Sequence, residues 1–126
     1  MDVIEELREL IARHCLTVAD KSNQLSSLLS ALNDPHASPA DTVEAAISLT
    51  HEIRGSAGSI GFGEVLSTAT ALEGFLKTLR GVQARVPDDA VEEVLCRLKA
   101  LTEATARLTP ESSHLYYADI SAMIRS

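Results

Sequence analysis

Apolar residues recur every three or four positions along most of this chain, which is the period of an amphipathic helix and not the alternation of a strand. Val3, Ile4, Leu7, Leu10, Ile11, Val18, Leu25, Leu28, Leu29 and Leu32 set the first such run, and no Gly or Pro interrupts it. One long helix, or two with a bend between His14 and Lys21, would fit that run. Asn33-Asp34-Pro35 ends it with turn chemistry. Ser38-Pro39-Ala40-Asp41 then offers an N-cap, a proline at the first helical position and a carboxylate three residues past the cap. A helix is therefore predicted from about Pro39, with Val43, Ala46, Leu49, Ile53, Ala57 and Ile60 as its inward stripe. Ser59-Ile60-Gly61-Phe62-Gly63 supplies a turn, and Val65, Ala69, Leu72, Leu76 and Leu79 carry the next helix. Two amphipathic helices joined this closely should form an antiparallel hairpin over about 39–80.

Gly81 to Pro87 reads as a second connection, with Asp88 or Asp89 as the cap of a further helix carrying Val91, Val94, Leu95, Leu98, Leu101 and Leu108. Pro110 closes that helix. Beyond it, Tyr116, Ile120 and Met123 fall at helical steps, so residues 110–126 are expected as a short added helix or a tail. The pattern predicts an all-α chain, an antiparallel four-helix bundle with an additional N-terminal helical segment. Its length of 126 residues suits a single domain over 1–126.

Composition narrows the function. Apolar residues make up 45% of the chain, but with two Phe, two Tyr and no Trp the core has to be built from Leu, Ile, Val and Ala. A net charge of -7 argues against a surface that tracks nucleic-acid phosphates. Cys15 and Cys96 fit no CxxC or zinc spacing and are expected as reduced thiols buried as small hydrophobes. Charges at Asp2, Glu5, Glu6, Arg8 and Glu9 interrupt the first residues, so no secretion signal is expected there. No window nears the roughly 18 apolar residues of a membrane span. A soluble, cytoplasmic protein without membrane or nucleic-acid partners is the expectation.

Candidate chemistry sits in His51-Glu52-Ile53-Arg54-Gly55-Ser56-Ala57-Gly58-Ser59-Ile60-Gly61. Gly55 and Gly58 fall inside a predicted helix, where each costs roughly 0.5–1 kcal/mol relative to Ala, so close approach of a partner is one reason to keep them. At about 100° per residue His51 points away from Leu49 and Ile53 and faces outward, with Ile47, Gly55 and Gly58 within about 40° and Arg54 about 60° to the side. Phe62 follows His51 by 11 residues and Glu73 follows Phe62 by 11, which sets Glu73 level with His51 across the hairpin. A carboxylate there can fix the imidazole tautomer and leave the other nitrogen with a directed lone pair. Lys77, one turn past Glu73, adds a second positive charge to that of Arg54. The group suits phosphoryl transfer, which asks for an in-line nucleophile and positive charge near the equatorial oxygens. No GxxxxGK[ST] or GxGxxG loop occurs, so the phosphoryl donor should be another protein or a small phosphodonor.

His51 through Gly61 resembles the central pattern of the histidine-containing phosphotransfer (HPt) family, His-x-Leu-Lys-Gly-[SerAla]-[SerAla]-x-x-x-Gly. The resemblance implies a four-helix bundle with His51 as phosphoacceptor, Arg54 as its basic neighbour, Gly55 admitting the partner, and Glu73 where Gln or Glu is usual. It also implies partners: response-regulator receiver domains and a sensor histidine kinase or hybrid kinase. Magnesium would be held by the receiver, so no cofactor or metal is expected on this chain. Arg54 stands where Lys is more common, and Ile53 where Leu is. Such a module is a phosphocarrier in a two-component phosphorelay rather than an enzyme.

Plainer readings remain beside this one. A lone helical histidine is usually a surface residue, and His14, His36 and His114 are read that way. Gly58 could mark simple fraying, and Glu73 or Lys77 a solvated face. The whole chain could be a helical interaction module that does no chemistry. A metal-dependent hydrolase using His51 and Glu73 is weaker, since two ligands are visible where three or four are wanted.

Overall fold

In the computed structural model, which describes residues 3–82 and 84–113, the first apolar run is one unbroken helix, α1 (Val3–Ser30). It is followed by α2 (Pro39–Ile60), α3 (Gly63–Thr78) and α4 (Asp88–Ala106), and a 3₁₀ turn spans Pro110–Ser112. No strand occurs among the described residues. The expected N-terminal addition is the start of α1 itself: Val3 to Leu10 carry no fully buried side chain, and the inward stripe begins at Ile11. Tyr116, Ile120, Met123 and His114 lie outside the described residues.

The boundaries have local causes. Ser38 takes an extended conformation and its hydroxyl accepts from the Asp41 N–H at 3.3 Å, while Pro39 begins α2 without needing its missing donor. At the other end Gly61 adopts φ 81, a left-handed cap that favours glycine, and the N–H groups of Gly61 and Phe62 both donate to the Ala57 carbonyl at 2.9 Å. Neither Asp88 nor Asp89 is the cap of α4. Pro87 holds that position, Asp88 pairs with Arg85 at 3.0 Å, and both aspartates sit in the first turn, where the positive end of the helix favours them.

The helices pack as an antiparallel four-helix bundle around Ile11, Val18, Leu25 and Leu29 of α1, Val43, Ala46, Ile53 and Ala57 of α2, Val65, Leu72 and Leu76 of α3, and Val94 and Leu101 of α4. Burying each of the larger side chains is worth about 1.5–3 kcal/mol. Polar ties across the seams fix the register: Lys21 to Glu52 at 2.8 Å and His14 to Ser56 at 2.6 Å join α1 to α2, and Arg97 donates to the Ala71 carbonyl at 3.0 Å from α4 to α3. His36 is exposed.

Several apolar positions differ from the wheel. Ile47 is buried although it leans toward the His51 side, because α3 lies against that flank of α2. Leu49 is only partly buried, and Leu95 is exposed along the α1–α4 seam, the least extensive contact between neighbouring helices. Cys96 is exposed and Cys15 half-buried; both are free thiols, so neither is the fully buried hydrophobe expected. Burial raises the Cys15 pKa, and the nearby Glu111 charge adds to that.

At the end of the bundle away from the α2–α3 turn, Asn33 holds two loops together: its amide donates to the Val86 carbonyl at 2.9 Å and accepts from the Val86 N–H at 3.0 Å. Asn33→Ala should lower the unfolding free energy by about 1–3 kcal/mol, read from urea denaturation. Asn33→Asp keeps the acceptor and loses the donor, so an intermediate loss is expected.

Candidate functional site

The short Gly61 turn, with Phe62 buried beneath it, makes the two arms of the α2–α3 hairpin rise equally, and this brings His51 and Glu73 level. His51 Nδ1 lies 3.3 Å from Glu73 Oε1. A carboxylate offers only lone pairs, so the contact requires a hydrogen on Nδ1, and in the neutral ring Nε2 then keeps its own lone pair. The His51 side chain is 73% exposed, whereas that of Glu73 is 2% exposed. The imidazole therefore stands in solvent on a buried anchor.

Glu73 is held from three sides. Arg54 Nη1 donates to Oε2 at 2.6 Å, and Lys77 Nζ lies 3.3 Å from Oε1, the oxygen that also faces His51. Burial alone pushes the Glu73 pKa up, but the hydrogen bonds and charges of Arg54 and Lys77 outweigh it and hold the carboxyl below its ordinary value. Arg54 Nε is itself buried and has no hydrogen-bond partner. His51, Arg54, Glu73 and Lys77 thus form one cluster, as the residue count across the hairpin implies.

Beside the ring a shallow hollow of about 390 Å³ opens between α2 and α3, lined by Ser48, His51, Glu52, Glu73, Lys77 and Arg80. Arg80, which the sequence reading passed over, is held by Glu44 through contacts of 2.9 and 3.4 Å. Register counting contains this pair too, since Glu44 precedes His51 by seven residues and Arg80 follows Glu73 by seven. Lys21 covers Glu52 on the other side.

Gly55 and Gly58 are exposed on the same face as His51. A methyl group built on Gly55 meets nothing within 4 Å, and one on Gly58 meets only the Leu66 side chain at 3.9 Å, an ordinary contact. Packing within the chain does not require either glycine. Gly74, next to Glu73 and likewise open, was not singled out from sequence although a third helix-interior glycine was signal enough.

Charge is distributed unevenly. Lys21, Arg54, Lys77 and Arg80 face Glu44, Glu52 and Glu73, which leaves this surface one positive charge in a chain whose net charge is -7. Among the described residues no group of three or more His, Cys, Asp or Glu is placed to hold a metal ion, and no helix is long and apolar enough to cross a membrane.

The sequence model of the Hpt domain family matches residues 2–108, so the match runs through all four helices and includes His51, Arg54, Gly55, Gly58, Glu73 and Lys77. No curated protein and no solved structure matches the chain.

The depressed Glu73 pKa carries a stability consequence. A carboxyl whose folded pKa lies below its unfolded one contributes stability that is present above the ordinary carboxylate range and is lost as pH falls through the folded value. Glu73→Gln should cost about 1–3 kcal/mol at pH 7. Urea midpoints measured from pH 7 to pH 3 should show that difference shrinking toward the acid end.

Proposed function

The chain belongs to the Hpt domain family, whose members carry phosphoryl groups on histidine in phosphorelays, and on that premise we propose that it takes a phosphoryl group onto His51 from a receiver-domain aspartate and relays it to another receiver. The observation that carries this reading is the exposed His51 ring tied through Nδ1 to the buried Glu73, which turns the Nε2 lone pair outward.

In the accepting step the Nε2 lone pair forms an N–P bond while the P–O bond of the donor's aspartyl phosphate breaks and its electron pair returns to the aspartate carboxylate. The ring becomes positive as the bond forms, and Glu73 faces that charge through Nδ1–H. Passing the phosphoryl group on reverses the same bond changes at the next receiver. Magnesium belongs to the receiver in this scheme. The chain contributes orientation and positive charge, consistent with a transition state that asks for positioning more than covalent help.

A receiver has to bring its aspartate within bonding distance of Nε2, so its loops must lie against the helix surface on both sides of His51. Gly55 and Gly58 supply a surface without side chains there, and the local positive charge suits a partner whose phosphorylated pocket is acidic. The source of phosphate upstream would be a sensor histidine kinase or hybrid kinase, which places the relay in the cytoplasm. In this reading 1–126 works as one such module.

His51→Gln should abolish acid-labile, base-stable phosphate incorporation from a phosphorylated receiver while leaving the urea midpoint nearly unchanged. Incorporation that survives the substitution, or wild-type protein that no receiver labels, would point to an interaction module instead. Gly55→Leu separates contact from folding. Since space is open at Gly55 and a helix-interior glycine costs roughly 0.5–1 kcal/mol, stability should hold or rise while the transfer rate falls about tenfold or more. A loss of stability with transfer intact is the contrary result.

A further inference from the structure

Arg54 and Lys77 both reach Glu73, but they are held differently. Arg54 contacts Oε2 through a short 2.6 Å bond, has its Nε buried, and does not line the hollow beside His51. Lys77 contacts Oε1 at 3.3 Å, is 49% exposed, and lines the hollow together with His51. Oε1 has a second partner in His51 Nδ1, while Arg54 is the partner the structure gives Oε2. If Lys77 leaves, each carboxylate oxygen keeps a donor. If Arg54 leaves, Oε2 is left bare in a buried side chain, the costlier arrangement.

We propose that Lys77 is the residue that meets the phosphoryl group on His51, swinging from Glu73 into the hollow, while Arg54 stays on Glu73 as a positioning residue. This rests on the reading of His51 as phosphoacceptor and assigns the charge-compensating role to a different helix from the one the HPt resemblance suggests. A lysine suits that role, because its ammonium sits on a flexible stem and its three donors can be re-aimed, whereas the planar guanidinium is fixed by its short bond.

The other charged groups around the hollow are occupied. From α2, Glu44 holds Arg80 of α3 at both oxygens, and Glu52 is covered by Lys21 of α1 at 2.8 Å. Glu73 stays negative beneath the ring, so an arriving phosphoryl group of like sign needs a cation between them, and Lys77 already lies against that oxygen. After the swing its Nζ would stand between the phosphoryl oxygens and Oε1.

The test loads His51 with phosphoramidate, a small P–N phosphodonor, and follows the phosphoryl group by ³¹P NMR as a function of pH. Lys77→Met should raise the pH at which the phosphoryl group gives up its last proton by about 0.5–1 unit, since a neighbouring cation favours the more charged form. Lys77→Arg should restore the wild-type titration. Arg54→Met should leave that titration in place and instead alter the ¹⁵N signature of the His51 tautomer, with Arg54→Lys restoring it. A phosphoryl titration that moves with Arg54→Met and not with Lys77→Met, or equally with both, overturns the assignment. Lys77 is half-exposed, so its variants should fold and keep the test decisive. Wild-type protein that takes no phosphate on His51 removes the phosphoacceptor reading and this inference with it, whereas a phosphorylated chain whose titration follows Arg54 overturns the inference alone.

Discussion

A carboxylate buried between two helices is the constraint on which the site depends. Glu73 is almost fully removed from water yet stays ionised, because Arg54 and Lys77 together offset the desolvation that would otherwise neutralise it. From that anchor follow the tautomer of His51 and the direction of its free lone pair. The anchor in turn depends on the level pairing of α2 and α3, and hence on the left-handed Gly61 and the buried Phe62 that make their connection short. A longer or differently wound turn would slide α3 along α2 and take Glu73 out of reach.

Around this anchor the surface departs from what stability alone would choose. Helix-interior glycines at Gly55, Gly58 and Gly74 have no packing neighbour that an alanine would disturb, so the folded chain gains nothing from them. Local rules broken without a compensating contact inside the molecule are the signature of a surface shaped for something outside it. The positive balance around His51 in an otherwise acidic chain points the same way. A buried negative charge under an exposed, small-residue, locally positive face fits the transfer proposed for His51.

Much of this was legible before the fold was known. The three-and-four spacing of Val65, Ala69, Leu72, Leu76 and Leu79 gave α3, Ser38 marked the start of α2, and equal counts of residues on either side of Phe62 matched His51 to Glu73. Helical periodicity says which side of a helix is apolar but not where its neighbours stand. Ile47 is buried because α3 leans on that flank, and Leu95 is open because α1 and α4 meet only lightly. Asn33 bonding to Val86, 53 residues away, carries no local signal at all. Spacing predicts Arg54 beside the histidine, but one sequence does not reveal that its guanidinium bonds Glu73 at 2.6 Å, since that depends on where α3 sets the carboxylate.

The most direct measurement is the long-range ¹H–¹⁵N spectrum of the His51 ring in unphosphorylated protein at neutral pH. The account predicts that His51 carries its proton on Nδ1, with Nε2 at the chemical shift of an unprotonated ring nitrogen. A proton on Nε2, or the averaged pattern of a free imidazole, would mean that Glu73 does not orient the ring and would contradict the account.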